Sequence, residues 1–154
     1  AVLQAEFPDL HLALAGKKEY FYEKLEAETI KNGTKNVHFL GFISDGEKRW
    51  AFAHALSFVT ASLSEGFCIP LLEAMHEGTV VVASNTSCLP EVVASGGVLF
   101  DPHSTDDLVS KLRHVITNDA YREKLQKAGT ARVKEFSWQT MTEQTVEVYK
   151  KALQ

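Results

Sequence analysis

The sequence predicts an α/β fold in which a Rossmann-like parallel sheet is flanked by helices. Three features of the 154 residues indicate this class. Short apolar runs alternate with amphipathic segments along roughly the first hundred residues. The run 79–83 is apolar almost throughout, as expected of a strand covered on both faces. The remainder has helical periodicity, so we expect a helical C-terminus.

The predicted elements have recognisable boundaries. Glycine and Asn-Gly end strands and helices, while Ser44 or Asp45 and later Ser137 are the expected N-caps of two helices. The predicted strands span residues 10–15, 37–40, 56–60, 79–83 and 98–100. The predicted helices span residues 1–7, 19–31, 45–55, 70–77, 104–117, 120–135 and 138–152, with a short helix beginning at residue 89. A chain of this length forms one domain, over residues 1–154.

Composition excludes several classes of function. The net charge is −4 and lysines and arginines are not clustered, so we expect no nucleic-acid partner. No apolar stretch is long enough to span a bilayer, and the first residues do not have the pattern of a signal peptide. Cys68 and Cys88 have neither metal-ligand nor redox spacing. We expect both to be reduced, in a cytoplasmic protein.

One stretch has the pattern of an anion-binding unit. A buried strand over 56–60 leads into a polar loop, and Pro70 then suits the first turn of a helix. Several backbone N–H groups between residues 66 and 72 would have no intrahelical partner, and the helix dipole favours negative charge there. The stretch therefore predicts a site for an anion such as phosphate.

Two carboxylates bracket this unit, with seven residues between them. Glu65 lies in the loop, whereas Glu73 is expected in the first helical turn, where it could accept hydrogen bonds from a pair of hydroxyls. A phosphate flanked by two polyhydroxylated groups, as in a nucleotide sugar, would satisfy all of these features. The alternative is that Glu73 only complements the helix dipole and that Glu65 is solvated.

A resemblance to a known family rests on this stretch and its continuation. The matching run is Glu65-Gly66-Phe67-Cys68-Ile69-Pro70-Leu71-Leu72-Glu73-Ala74-Met75, followed by Gly78, residues 80–84 and Leu89-Pro90-Glu91-Val92-Val93. It resembles retaining glycosyltransferases of the GT-B fold, in their glycosyl transferase group 1 family. The likeness extends from Leu10 to about Tyr149 but covers only the family's second, C-terminal domain.

The resemblance implies a role for each matching residue. Glu73 would bind the ribose hydroxyls of a nucleotide, and Glu65 would be the catalytic carboxylate beside the transferred sugar. The remaining donor-binding residues around the motif would be Gly66, Phe67, Cys68, Ile69 and Leu71. The base would lie beside Phe42 and Ile43, although these side chains could equally pack beneath their own loop. The family usually has glycine at position 68, so a positive φ there would strain Cys68.

The implied function is that of a donor-binding domain in a retaining glycosyltransferase. Such an enzyme would transfer a hexosyl group from a UDP- or GDP-sugar to a sugar or lipid acceptor. We expect no metal and no other cofactor, because the helix dipole and basic side chains would replace a divalent ion. Two alternatives remain open: a nucleotide-binding module, alone or as a subunit of a split enzyme, and a remnant that binds no ligand.

The resemblance also implies that parts of the family's structure are missing. The N-terminal acceptor domain has no counterpart, and neither does the central strand that separates the strands matching 10–15 and 56–60. Either these two strands pair directly or another polypeptide fills the gap, as in a strand-exchanged homodimer. The expected partners are therefore a nucleotide sugar and the missing N-terminal domain or a partner chain.

Overall fold

The computed structural model describes residues 2–153, and it confirms the α/β class and the predicted order of elements. Ala1, in the first predicted helix, and Gln154 lie outside the described residues. Among the described residues, the strands are β1 (Leu12–Ala15), β2 (Val37–Gly41), β3 (Ser57–Thr60), β4 (Val80–Ser84) and β5 (Gly97–Phe100). The helices are α1 (Val2–Glu6), α2 (Tyr20–Lys31), α3 (Asp45–His54), α4 (Ile69–His76), α5 (Leu89–Val93), α6 (Thr105–Thr117), α7 (Asp119–Val133) and α8 (Trp138–Ala152).

The described residues form two compact units, one on each side of the junction between Ala51 and Phe52 in the sequence. Each unit has its own parallel sheet, β1–β2 in the first and β3–β4–β5 in the second. Within residues 2–153, β1 pairs with β2 alone and β3 pairs with β4 alone. The two alternatives stated above, direct pairing of the strands at 10–15 and 56–60 or a strand from another polypeptide, stay predictions.

The first unit is built on the β1–β2 ladder and helix α2. The Tyr22 hydroxyl accepts a hydrogen bond of 2.8 Å from the N–H of Gly41, the last residue of β2. The Tyr22 ring also lies edge-on against Phe39, with 5.3 Å between the ring centroids. Tyr22 therefore anchors α2 to the carboxyl end of β2. At the opposite end, His11 Nδ1 and His38 Nε2 of the two neighbouring strand segments are 2.7 Å apart.

Helix starts follow the predicted capping residues. Ser44 is the N-cap of α3, because its hydroxyl accepts from the N–H of Glu47 and its N–H donates to Glu47 Oε2 at 2.7 Å. Hydrogen bonds from the hydroxyl and the N–H of Ser44 hold the pKa of Glu47 below its usual value. Ser137 likewise caps α8 by accepting from the N–H of Thr140.

Within residues 2–153, none of the helices is both long and apolar enough to cross a membrane.

The second unit has a hydrophobic core on each face of β4. All five residues of β4 are buried, and alternate side chains point to opposite faces because the side-chain period of a strand is two. On one face, Val81 and Ala83 belong to a cluster with residues of α4 and α5: Leu71, Ala74, Met75, Leu89, Val92 and Val93. On the other face, Val80 and Val82 pack with residues of β5, α6 and α7: Val98, Phe100, Val115 and Leu125. This arrangement confirms the predicted strand covered on both faces.

Two close backbone approaches hold α7 and β5 against this core. A methyl group added at Gly129 of α7 would lie 3.0 Å from the carbonyl oxygen of Gly96 and 3.2 Å from Met75 Cγ. A methyl group added at Gly97 would lie 2.7 Å from the carbonyl oxygen of Val81, its partner across the β4–β5 ladder. Gly97 has no space for a side chain, whereas a methyl group at Gly129 would need its neighbours to move by a few tenths of an ångström.

We therefore expect Gly97→Ala to destabilise the protein by about 1–3 kcal/mol, because the new methyl group forces β5 away from β4. The measurement is the midpoint of urea unfolding, followed by circular dichroism. Gly66→Ala is the matched control in the same unit, since a methyl group there meets nothing within 4 Å. Equal midpoints for the two variants would show that the β4–β5 contact is looser than described.

Candidate functional site

The candidate site lies where the loops after β3 and β4 meet. The two strands are parallel and in register from Ser57↔Val80 to Thr60↔Ala83, so both loops leave the same edge of the sheet. The first loop carries Glu65 and leads into α4, and the second carries Ser87 and leads into α5. They are joined directly, because the Ser87 hydroxyl donates a hydrogen bond of 2.8 Å to the carbonyl oxygen of Glu65.

Cys68 ends the first loop in a left-handed backbone conformation. It is the N-cap of α4, with φ 69° and ψ 63°, and its side chain makes no capping hydrogen bond. A non-glycine residue in this region is strained by about 1–3 kcal/mol. The positive φ that would strain a cysteine at position 68 is therefore present. Strain of this kind is characteristic of functional loops.

The N-terminus of α4 has several backbone donors available. The helix starts at Ile69, one residue before the predicted start, and Pro70 lies in its first turn, as predicted. Within residues 2–153, the N–H groups of Gly66, Phe67, Cys68 and Ile69 donate to no protein acceptor. Leu71 differs from these four, because its side chain is fully buried and its N–H donates to the carbonyl oxygen of Cys68 at 3.0 Å. Four amides at the positive end of a helix dipole can bind an anion.

Glu73 lies one residue further into the helix than the sequence indicated. It is the fifth residue of α4, so the expected position in the first turn is wrong. The cause is the helix start, which lies at Ile69 and not at Pro70. Glu73 is half-buried, and its Cα–Cβ bond, like that of every helical residue, tilts toward the N-terminus of the helix.

Glu65 and Cys68 interact electrostatically across the loop. Burial, and after it the negative charge of Glu65, raises the pKa of the Cys68 thiol above its ordinary value. A hydrogen bond with the side chain of Thr60, at the end of β3, acts in the opposite direction. The charge of Glu65 therefore contributes to the electrostatic environment of the thiol at the start of α4.

Phe67 is fixed by residues that follow α7. Its ring lies edge-on against Phe136, with 5.6 Å between centroids. Arg132 covers the Phe136 ring at 4.5 Å and also donates to the carbonyl oxygens of Glu91 and Val92 in α5. The ring of Phe67 is thus in contact with Phe136 on one side but remains 42% exposed, and its backbone N–H has no protein acceptor within residues 2–153.

Phe42 and Ile43, predicted beside a nucleotide base, lie in the first compact unit, directly after β2. Phe42 is 77% exposed and Ile43 is half-buried. Packing of the Phe42 ring beneath its own loop, the alternative stated above, does not fit this exposure. A role for the two residues in binding a base stays a prediction.

A metal site needs several ligand side chains close together. Within the part of the chain that the structure describes, no three His, Cys, Asp or Glu residues are grouped so as to hold a metal ion. The expectation of a metal-independent site stays a prediction.

Sequence reasoning missed the specific contacts of Thr60, Ser87 and Cys88 with the motif. It placed the loop 84–88 near the site but assigned its side chains no partner. The available signal was topological, since loops that follow adjacent parallel strands emerge at the same sheet edge. Which side chain reaches which backbone group depends on loop conformation, and the sequence pattern does not encode this.

Comparison with known proteins identifies relatives of the chain. It is 37% identical over 125 residues to O-antigen chain mannosyltransferase B of Escherichia coli, a match that covers 80% of this chain and 33% of the relative. The chain thus spans about a third of that protein's length.

Two solved structures share the fold. Sucrose-phosphate synthase from Thermosynechococcus elongatus superposes with a TM-score of 0.86 at 25% identity, covering 99% of this chain and 41% of that one. The C-terminal domain of a glycosyl transferase group 1 family protein from Francisella tularensis superposes with a TM-score of 0.73 at 29% identity, covering 87% of this chain and 73% of that one.

The α/β architecture therefore matches the C-terminal domains of GT-B glycosyltransferases. The model of one family, glycosyl transferases group 1, matches residues 1–132. The chain belongs to the glycosyl transferases group 1 family.

Proposed function

We propose that this chain is the donor-binding domain of a retaining glycosyltransferase and that it binds a nucleotide sugar at the N-terminus of α4. The observation that supports this most directly is the set of four amides at residues 66–69, which donate to no acceptor within residues 2–153 and are bracketed by two carboxylates. A nucleotide diphosphate presents anionic oxygens to such amides. The same ligand carries hydroxyls on both sides of the diphosphate, where Glu65 and Glu73 can accept hydrogen bonds.

In the proposed complex, Glu73 binds the ribose hydroxyls and the amides bind the diphosphate. Cleavage of the bond between the anomeric carbon and the phosphate oxygen leaves negative charge on the diphosphate. The amides and the helix dipole stabilise that charge without a divalent ion, because they are already oriented before the reaction. Positive charge that develops at the anomeric carbon is stabilised by the carboxylate of Glu65.

The transferred group is proposed to be a hexosyl group, carried by UDP or GDP. The name of the Escherichia coli relative, a mannosyltransferase, makes mannose the first sugar to test. Because the chain spans about a third of that relative, the acceptor site is proposed to lie in an N-terminal domain or a partner chain. The same coverage supports a second candidate, a nucleotide-binding module or split-enzyme subunit that binds without transfer.

The nucleotide site is tested by calorimetric titration with UDP, GDP and ADP. We expect one nucleotide to bind, and Glu73→Ala to weaken it by about 1–3 kcal/mol, or roughly 5- to 150-fold in Kd, because hydrogen bonds to a charged group are lost. Glu77→Ala is the matched control, since it removes a carboxylate at the C-terminal end of the same helix. Equal weakening by both variants would contradict a specific role for Glu73, and no binding at all would contradict the proposed site.

The outer edge of β3 is proposed to pair with a further strand. All four residues of β3 are only half-buried, whereas all five of the adjacent β4 are buried, and an apolar edge of this kind favours association. If a second copy supplies the strand, the chain alone has a molar mass of twice 17.1 kDa in solution. Light scattering after size-exclusion chromatography measures this. A well-folded monomer would contradict the strand-exchanged homodimer.

A further inference from the structure

The backbone of Glu65 is held from both sides by one exposed side chain of the neighbouring loop. The Ser87 hydroxyl donates to the carbonyl oxygen of Glu65 at 2.8 Å and accepts from the N–H of Glu65 at 3.3 Å. The first distance is that of a normal hydrogen bond and the second is long, so the carbonyl contact is the stronger of the two. A single hydroxyl thus contacts both polar backbone groups of the motif's first glutamate.

Ser87 makes these contacts from a strained conformation. Its φ is 56°, in the left-handed region that glycine adopts freely and other residues adopt at a cost of about 1–3 kcal/mol. A glycine would satisfy the backbone of this loop better than serine does. What serine adds at this position is the hydroxyl, and that hydroxyl is bonded to Glu65.

Cys88 supplies a second donor to the same atom. Its Sγ lies 3.3 Å from the carbonyl oxygen of Glu65, so that oxygen accepts from both Ser87 and Cys88. A carbonyl oxygen has two lone pairs, and both are therefore used. A thiol is a weak donor, so Ser87 provides most of the restraint.

Restraint of the Glu65 backbone also restrains its side chain. When the N–H and the carbonyl of one residue are both fixed, the peptide planes on each side are fixed, and so is the direction of the Cα–Cβ bond. The range of positions open to the carboxylate is then narrower, and its charge raises the pKa of the Cys68 thiol. The contact of Ser87 with the Glu65 backbone therefore limits where the negative charge of Glu65 can lie.

We propose that Ser87 is the positioning residue for Glu65: through its two hydrogen bonds with the Glu65 backbone, it holds the carboxylate where the sugar of the donor binds. This inference rests on the proposed function for the identity of the ligand. The restraint of Glu65 by Ser87 does not depend on the identity of the ligand, so it can be measured without any nucleotide.

The first measurement uses the Cys68 thiol as a reporter of the Glu65 carboxylate. The alkylation rate of Cys68 with iodoacetamide is measured against pH, and its peptide is separated from that of Cys88 by mass spectrometry. Only the thiolate reacts, so the midpoint of the profile follows the pKa of Cys68. Glu65→Gln removes the neighbouring negative charge, so its midpoint is expected at lower pH than that of the unsubstituted chain.

Ser87→Gly is the decisive variant, because it removes the hydroxyl and relieves the strained φ together. We expect its midpoint to move to lower pH, in the direction of Glu65→Gln, as the carboxylate leaves the thiol. Ser87→Ala, which keeps the side-chain carbon but lacks the hydroxyl, should also move the midpoint to lower pH. Ala94→Gly is the matched control, since it relieves another positive φ, 44°, at a residue whose side chain has no hydrogen-bonding group.

Better access to the thiol would also lower the midpoint, because burial is the larger cause of the raised pKa of Cys68. Exposure would lower it in a Glu65→Gln background too, whereas loss of the Ser87 contact with Glu65 would not. A Ser87→Gly profile whose midpoint coincides with that of the unsubstituted chain, or a Ser87→Gly shift that is unchanged in the Glu65→Gln background, would overturn the proposal. A Glu65→Gln profile that does not move would also overturn it, because the carboxylate would then not be held beside Cys68.

The second measurement compares the affinity for a nucleoside diphosphate with that for the corresponding nucleotide sugar. Ser87→Gly should leave the affinity for the nucleoside diphosphate unchanged. It should lower the affinity for the nucleotide sugar by about five- to tenfold, because only the sugar meets Glu65. Unchanged affinity for both ligands would overturn the positioning role. If neither ligand binds even the unsubstituted chain, the proposed function fails, and the thiol profile still decides whether Ser87 positions Glu65.

Discussion

The burial of β4 on both faces is the constraint on which the candidate site depends. Its alternate side chains belong to two different cores, so the strand can neither shift by one residue nor rotate without exposing apolar side chains. β3 pairs in parallel with this fixed strand, and α4 packs on one of its faces through Leu71, Ala74 and Met75. The loop between β3 and α4 therefore has both of its ends fixed by the core.

This rigid support explains how the loop can keep unfavourable local features. Cys68 and Ser87 are both non-glycine residues with positive φ, and they occur in the two loops that meet at the site. The Cys68 thiol is also kept near a negative charge. A flexible loop would relax such features, whereas a loop anchored at both ends by a packed core can retain them. The burial of β4 thus allows the two loops to keep their strained residues.

Most of the fold could be predicted because its signals are local. Ser137 marked the start of α8 at Trp138, and the continuous apolar run marked β4, since capping and burial leave direct traces in the sequence. The family's usual glycine at position 68 indicated only that a positive φ there would strain Cys68, and the structure has that φ. The division into two sheets was harder to predict, because strand pairing depends on which neighbour is present and not on the pattern within a strand.

The candidate site was predictable in its residues but not in its contacts. The motif indicated Glu65, Glu73 and the amides between them, yet it placed Glu73 in the wrong helical turn because helix starts vary by a residue. The hydrogen bonds from Ser87 and Cys88 to Glu65 connect residues more than twenty positions apart. Such contacts depend on how two loops approach each other in space, which periodicity and spacing do not describe.

The central claim is that the amides at the start of α4 bind the diphosphate of a nucleotide. The most direct measurement is an NMR titration of the ¹⁵N-labelled chain with UDP or GDP, in which the backbone amide signals are followed one by one. The largest shifts are predicted at Gly66, Phe67, Cys68 and Ile69, whose N–H groups donate to no acceptor within residues 2–153. Saturable binding that leaves these four signals unchanged would contradict the claim.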